Sequence, residues 1–596
     1  MSRYEFYGER AQQFEREENK RIRQNNRYTW LRLLLMIAAG AAGIVFYSVS
    51  PWLSLGAVVT LLSVFAVCLK KHLANIERQL EYERLKTINF REIECLEGNF
   101  SAFESGAQYE DTKHYYSSDL DIFGTHSIFR YLNRTTSPSG SDMLARWLLG
   151  PASLEEIKSR QDAVTELSGM IDLRQKMQAV GLKHKNIEKE QPGFIEWLHG
   201  DAELSNRRKL LRAMQFLPWL TIAAIVAASV GWISSLLAWL LVIVHFIISG
   251  SVLQRVNILH QQVSRKVEFI GTYSELIALF VGANFTTTHL VSLRNRFVES
   301  KAQEQITALQ NRITKLDYRL NMLFIPVNIL FFFDYRHLVW LEKWRRSVGQ
   351  QVPGWFDAIA EAEALSSFAN VRFNNPNWVM PVINGEYFTL EAKQVGHPLI
   401  PEKERVSNDF SLAGEGRVAV VTGSNMSGKS TFQRSIGVNM VLALAGAPVC
   451  ATYFAVTDCL LYTYMRIADN LEERTSSFYA ELKRLKRLID ITKTGQPVFF
   501  LLDEVLRGTN SRDRQIGSMA LIRQLVKQRV SGIIATHDLG LGELETELPD
   551  RVSNSHFDVQ IKGEDMSFDY KLYPGICTSL NASVLMRKIG IEVDRT

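Results

Sequence analysis

The sequence predicts an α/β nucleotide-binding domain at the C-terminus, preceded by an all-helical region that carries two membrane-crossing helical hairpins. Three observations predict it. A β-branched run, Val418 to Thr422, feeds a glycine-bracketed loop, Gly423 to Ser430, and a helix-forming stretch from Phe432 to Leu444 follows. Two long stretches, Leu33 to Leu69 and Ala213 to Gln254, hold no charged side chain, counting His245 as neutral. Past Phe368, short apolar strands alternate with helical stretches, as in a parallel sheet. At 596 residues the chain has room for several domains, and its formal net charge of +5 is small for that length. Any nucleic-acid face is therefore local. The five cysteines show neither a C-x-x-C pair nor metal-ligand spacing, which points to reduced thiols rather than a disulfide framework.

In chain order, residues 1–28 read as a charged, helical, cytosolic lead-in, too charged for a cleavable signal. Residues 29–71 form the first hairpin, broken at Ser50-Pro51 into two spans of roughly 17 residues, at the short end of the spanning range. Trp30, Tyr47 and Trp52 fall near the span ends, where interfacial aromatics belong, and Lys70 and Lys71 close the second span. Residues 207–255 repeat the design. Arg207, Arg208, Lys209 and Arg212 precede spans at about Phe216–Val230 and Ile233–Ile248, and Arg255 follows. Basic residues flank the outer ends and are missing from the turns, so both turns face away from the cytoplasm. The expectation is a four-span protein of the inner membrane with both termini and the nucleotide site in the cytoplasm. A third apolar run, Met322 to Phe333, is short and holds Pro326 and Asn328. A fifth span there would carry the phosphate loop outside, so a buried helix is expected.

The chemistry concentrates in the last third. Gly423 to Ser430 fits G-x-x-x-x-G-K-[ST] with a strand before and a helix after. The loop Gly423, Ser424, Asn425, Met426, Ser427, Gly428, Lys429, Ser430 and Thr431 would turn its backbone N–H groups onto phosphates. Lys429 would reach the β- and γ-phosphates of ATP, and Ser430 would offer a hydroxyl to Mg²⁺. A second apolar strand, Val498 to Leu502, ends in Asp503 and Glu504. Asp503 is expected to hold Mg²⁺ through water, and Glu504 to orient and deprotonate the attacking water. A third strand, Ile533 to Thr536, delivers His537 toward the γ-phosphate. Lys429, Glu504 and His537 are the expected catalytic set, with ATP and Mg²⁺ as cofactors.

The order of phosphate loop, acidic strand, polar loop (Arg507 to Ser511) and histidine strand resembles that of ABC-type ATPases, which implies dimers with nucleotide between subunits. Within that group the motifs resemble the DNA mismatch repair MutS family. Thr422 to Thr431 is similar to its T-G-P-N-M-G-G-K-S-T, Asp503 to Thr509 to its D-E-I-G-R-G-T, and Ala535-Thr536-His537 to its A-T-H. Ser476 to Leu482 stands where the family has S-T-F-x-x-E-M, and the resemblance implies that Ser476 and Ser477 reach a partner subunit's γ-phosphate. Gly396-His397-Pro398 and Tyr573-Pro574-Gly575, with Ala582 and Gly590, match the two ends of the family's ATPase domain. Ser424, Ser427 and Leu506 depart from its Pro, Gly and Gly.

Upstream, Asp119-Leu120-Asp121-Ile122-Phe123, Leu132-Asn133-Arg134-Thr135 and Arg160-Gln161-Asp162-Ala163-Val164 resemble the start of the MutS core, which leads into long lever helices. Leu167 to Glu190 and His260 to Tyr318 have the length and amphipathic pattern for such levers. Residues 72–206 are thus expected as the first part of a MutS-like core, 256–368 as lever helices and 369–596 as the ATPase domain. The implied function is a membrane-anchored, homodimeric MutS-type ATPase that binds mismatched or branched DNA. Only about 110 residues precede the core-like segment. That leaves no room for a mismatch-reading domain, and Phe6-Tyr7-Gly8-Glu9 is the nearest approach to an aromatic-x-Glu wedge. Basic clusters (Arg207, Arg208 and Lys209; Lys483, Arg484, Lys486 and Arg487) offer themselves to nucleic-acid phosphates or lipid headgroups. The alternative is a membrane mechanoenzyme that works on a protein or bilayer without DNA.

Overall fold

The computed structural model describes residues 2–183, 187–199, 208–264, 267–316, 318, 321, 324–385, 388–424, 426–465, 477–562 and 565–577. The first hairpin is much longer than its apolar part. Helix α1 (Arg3–Tyr47) starts in a capping box made by Ser2 and Glu5, and α2 (Pro51–Leu96) starts with proline where no intrahelical N–H is needed. Both run without a break through residues 28 and 71. At about 1.5 Å per residue each helix is roughly 70 Å long, over twice a hydrocarbon layer of about 30 Å.

The hairpin is therefore a shaft with an exposed apolar tip and a polar-seamed base. In the seam Asn25 donates to Gln79 at 2.6 Å, Asn75 donates to Asn25 at 2.7 Å, and Lys86 pairs with Glu18 at 2.6 Å. Buried amides at such positions fix helix register. The base docks on the core. Tyr7 is fully buried and donates to Asn374 at 2.6 Å, while Arg10 pairs with Asp172 at 2.7 Å. Tyr7 is thus a packing residue, and the Phe6 to Glu9 segment presents no wedge.

The helical core follows: α3 (Ile128–Leu132), α4 (Pro138–Leu148), α5 (Leu154–Gly169), α6 (Ile171–Gly181) and α7 (Ile187–Leu198). Next come the second hairpin, α8 (Arg208–Ser229) and α9 (Ser235–Ser264), then α10 (Val267–Val281), α11 (Thr288–Glu299) and α12 (Ala302–Leu316). The region closes with α13 (Ile325–Phe331), α14 (Phe333–Val348) and α15 (Val352–Asn374). The four helices of the two hairpins are long and apolar enough to cross a membrane. Leu144, Trp147 and Leu148 share one buried face, as their spacing predicts, with Trp147 against Phe368 and beneath the Arg160 guanidinium.

Two expectations need correction. The long levers are broken: α5 gives way to α6 at Met170, and α10 to α11 at an extended turn whose Thr286 and Thr287 N–H groups donate to Glu166 at 2.6 and 2.8 Å. Short helices wrap around buried α15 and bury more apolar surface than one extended rod would. The third apolar run is not a buried helix either. None of α13's residues is buried, because the helix lies on the outside of the second hairpin.

The C-terminal unit is α/β, as expected. Among the described residues its main sheet has six strands: β4 (Val418–Thr422), β6 (Leu460–Tyr464), β7 (Val498–Asp503), β8 (Ser531–Thr536), β9 (Val552–Phe557) and β12 (Leu572–Pro574). Their order is β12-β9-β4-β8-β7-β6, with only β12 antiparallel. A second sheet holds β1 (Val382–Asn384), β2 (Thr389–Val395), β3 (Asn408–Ala413) and β5 (Tyr453–Thr457), and β10 (Gln560–Lys562) pairs with β11 (Asp565–Ser567). Helices α16 (Lys429–Ala445), α17 (Ser477–Thr492), α18 (Ser511–Lys527) and α19 (Leu544–Glu547) complete the unit. Strands β4, β7 and β8 are buried along their whole length, and β4 and β7 accordingly read as apolar runs up to their polar last residue.

Candidate functional site

Three neighbouring strands, β4, β8 and β7, deliver their C-terminal ends to one place, where ligands of open parallel sheets bind. After β4 the chain turns through left-handed backbone at Gly423 (φ 150°), Met426 (φ 70°) and Gly428 (φ 104°) before α16 begins at Lys429. A Cβ on Gly423 would lie 2.9 Å from the Phe557 carbonyl and from Ser427 Oγ, and one on Gly428 would press on Tyr570 at 3.1 Å. The glycines keep the cradle open. Lys429 Nζ donates to the carbonyls of Gly423 at 2.7 Å and Ser424 at 2.8 Å, so the ammonium lies across its own loop. Burial lowers the Lys429 pKa, while the charges of Glu504 and Asp503 oppose that shift.

Ser430 Oγ donates to Asp503 Oδ2 at 2.6 Å, which joins the start of α16 to the end of β7. Gln433 secures the same junction by donating to the carbonyls of Leu502 and Ile533 at 2.9 and 3.2 Å. Burial, with Glu504's charge beside it, raises the Asp503 pKa against the opposing hydrogen bond from Ser430. Glu504 has φ 48°, and its N–H donates to the Ala535 carbonyl at 2.9 Å. Its carboxylate pairs with Arg507 at 2.9 Å and lies 3.4 Å from His537 Nδ1. Lys429 and Glu504 thus line one cavity of about 610 Å³, with His397, Ile400, Phe432 and Tyr570, and His537 joins them through its approach to Glu504. Burial and the nearby Arg434 and Arg405 push the His397 pKa down to about 4, so this ring lines the cavity uncharged.

These residues fit Mg²⁺ and a nucleoside triphosphate. The glycine cradle and the α16 N-terminus offer backbone N–H groups to phosphates. Ser430 and Asp503 supply two hard oxygen donors, and no group of three or more His, Cys, Asp or Glu gathers as a metal cage among the described residues. That is the donor set of a cation that takes its other ligands from phosphate and water. Asn425 and Ser476 lie outside the described residues, as do Ala582 and Gly590 and the side chain of Ser477.

Sequence reasoning passed over the ties that hold the site to its surroundings. Glu481 on α17 accepts from the Leu506 N–H, and Gly508 comes so close to Phe478 that a Cβ there would lie 2.7 Å away. The loop after the acidic pair is thereby fastened to the helix that follows Ser476. Asp119 accepts from Thr463 at 2.8 Å, from the Met465 N–H at 3.2 Å and from Arg484 at 3.0 Å, and Asp121 pairs with Arg434 at 3.2 Å. Arg487 donates to the Lys113 carbonyl and lies over the Tyr115 ring. Of the basic cluster on α17, Arg484 is thus held by a buried carboxylate, while Arg487 stays exposed. The Asp-x-Asp at 119–121 was the available signal, since two acids in an apolar run need partners when buried.

With this geometry in place, similarity to known proteins becomes informative. Residues 419–590 match the family model MutS domain V, and residues 111–190 match MutS domain III. Two stretches of the chain are thus MutS-like. A DNA mismatch repair protein MutS from Thermotoga maritima is 32% identical over 239 residues, which covers 39% of this chain and 28% of that protein. DNA mismatch repair protein MutS 2 of Halobacterium salinarum is 32% identical over 40% of this chain and 26% of its own length. The MutS of Fusobacterium nucleatum is 30% identical over similar shares, 40% and 26%. The chain thus spans about a quarter of the length of these curated relatives. The MutS-like domain V match contains the whole constellation from the phosphate loop to His537, and the domain III match contains Asp119 and Asp121.

Proposed function

We propose that this chain is a membrane-anchored MutS-type ATPase that binds and hydrolyses ATP between two copies of itself. The observation that carries the reading is the Ser430–Asp503 hydrogen bond of 2.6 Å beneath the glycine cradle, with Glu504 on the same cavity and His537 3.4 Å from the Glu504 carboxylate. Mg²⁺ bound at Ser430 and Asp503 would supply charge neutralisation for phosphoryl transfer. Lys429 leaves its two loop carbonyls to hold the β- and γ-phosphates, Glu504 orients and deprotonates water, and His537 faces the γ-phosphate. Ser476 and Ser477 complete the site in trans. The apolar hairpins hold the protein in the inner membrane, with the ATPase domain in the cytoplasm.

DNA is the proposed partner, on the strength of the names of the relatives and the match to domain III. Mobility-shift titration of homoduplex, mismatched and branched DNA across a salt series tests it. Binding that weakens steeply with salt supports a phosphate-contacting face. No binding to any of them at low salt leaves the ATPase and removes the DNA role. The second reading, a mechanoenzyme acting on a protein or on the bilayer, is favoured by one observation: Arg484 is engaged by the buried Asp119 carboxylate rather than offered to a polyanion.

A further inference from the structure

Helix α13 buries none of its residues, and Ile325 and Val327 are 47% and 41% exposed, yet its far end is held firmly. The Ile329 carbonyl oxygen is met by His245 Nδ1 at 3.3 Å and by Ser249 Oγ at 3.4 Å. These two residues lie a turn apart on α9, so one helix face presents both donors. The His245 ring stacks on Phe332 with centroids 4.4 Å apart and planes 7° apart, and its Nε2 lies 2.9 Å from Thr221 Oγ1 on α8. His245 is roughly ten residues, or about 15 Å, from either end of the apolar stretch Ser235–Gln254. Half of a hydrocarbon layer is about that deep.

From Phe332, whose φ of 53° reverses the chain, α14 runs back along α9. Tyr335, Leu338 and Val339 pack with Met214, Val252 and Val256, toward the ends of the hairpin that carry the basic flanks. Asn328 closes the turn by donating to Asp334 at 3.0 Å and accepting the Asp334 N–H at 3.0 Å. Arg336 reaches the Met214 carbonyl at 3.1 Å.

We propose that α13 and the Phe332 turn form a re-entrant element of the membrane anchor, inserted beside α8 and α9 to mid-depth, with Ile325 and Val327 against lipid acyl chains. The idea rests on the membrane reading above. A helix end inside hydrocarbon has no water for its last carbonyls, so protein donors must meet them. A histidine and a serine at the centre of an otherwise apolar span supply those donors. The acyl-chain surface is continuous with the exposed apolar faces of the hairpin, where Trp219, Leu220 and Leu240 are more than half exposed. Because α14 leads directly into α15 at the centre of the core, this element joins the bilayer to the core and, through it, to the ATPase domain.

Spin labels at Val327→Cys, Leu240→Cys and Glu402→Cys in the full chain, reconstituted in phosphatidylglycerol-containing vesicles, test the idea by collision with oxygen and with an aqueous nickel complex. The native cysteines are all buried, and the unsubstituted protein gives the background. The label at 327 should match that at 240, with nickel collisions several-fold below those at 402. A label at 327 that behaves like 402, while 240 stays shielded, overturns the re-entrant element and leaves the hairpin in the membrane. Water exposure at both 327 and 240 overturns the membrane reading and this inference together. In the His245→Leu background, nickel access at 327 should rise while 240 is unchanged, and His245→Gln, which keeps an N–H donor, should restore shielding. No change in His245→Leu contradicts the hold.

Discussion

Lys429 satisfies two carbonyls of its own loop, and in the proposed function a phosphate replaces them. Lys429→Ala should therefore abolish nucleotide binding, read by fluorescent ATP titration, because it removes the phosphate charge partner. Glu504→Gln keeps the shape but not the base. It should bind ATP and lose about 10²- to 10⁴-fold in turnover, the usual worth of a general base, as measured by single-turnover hydrolysis. Turnover at the original rate would show that another group takes the proton. Leu506 is a subtler case. It holds φ 61° where the family pattern has glycine, and its side chain is buried over Gly517, which has no Cβ to obstruct it. Replacing it with glycine relieves about 1–2 kcal/mol of left-handed strain but gives up a buried leucine worth about 2–5 kcal/mol. Leu506→Gly should therefore lower the urea midpoint.

At the scale of elements, the α1–α2 shaft is tied to the core by Glu92 and Arg134, 2.6 Å apart with side chains 2% and 5% exposed. Asn370 and Asn374 each add a hydrogen bond to Glu92 at 3.0 Å. Burial by itself would raise the Glu92 pKa, but the Arg134 charge and these hydrogen bonds bring it below the usual carboxylate value. A depressed folded-state pKa contributes stability that is present above the unfolded value and lost as pH falls through the folded one. The wild type should thus lose stability on acidification below the ordinary glutamate range. Glu92→Gln should lack that component, checked by thermal melts across pH. Arg134→Ala, which leaves a buried carboxylate alone, should cost about 3–5 kcal/mol in chemical unfolding.

The same elements show what could be read in advance. The phosphate loop, the acidic pair and the histidine strand were legible because buried parallel strands read as unbroken apolar runs that end abruptly in polar groups. The hairpins were legible by length and lack of charge. The levers were not, since amphipathic periodicity continues across the kink at Met170 and the extended turn before α11. The exposed position of α13 was hidden as well, because a short, mostly apolar run looks alike whether it faces protein or lipid. The engagement of Arg484 by Asp119 joins residues far apart in sequence, and a charge run alone does not reveal such a partner.

Across the molecule, two apolar hairpins and the candidate phosphate-loop site share one chain, and a common core connects them. Polar contacts tie the α1–α2 base to α15, and the Asp119–Arg484 contact separately ties the segment before α3 to α17. Deletion of both hairpins should release a protein that no longer sediments with membranes, and a truncated chain that still sediments would place the anchor elsewhere. In the proposed function a working ATPase is held in the bilayer. Mg²⁺-dependent ATP hydrolysis by alkali-washed membranes, compared between wild type and Lys429→Ala, tests it most directly. Activity should stay with the washed membranes and vanish in Lys429→Ala; activity lost to the wash, or equal in the two proteins, would contradict a membrane-held ATPase.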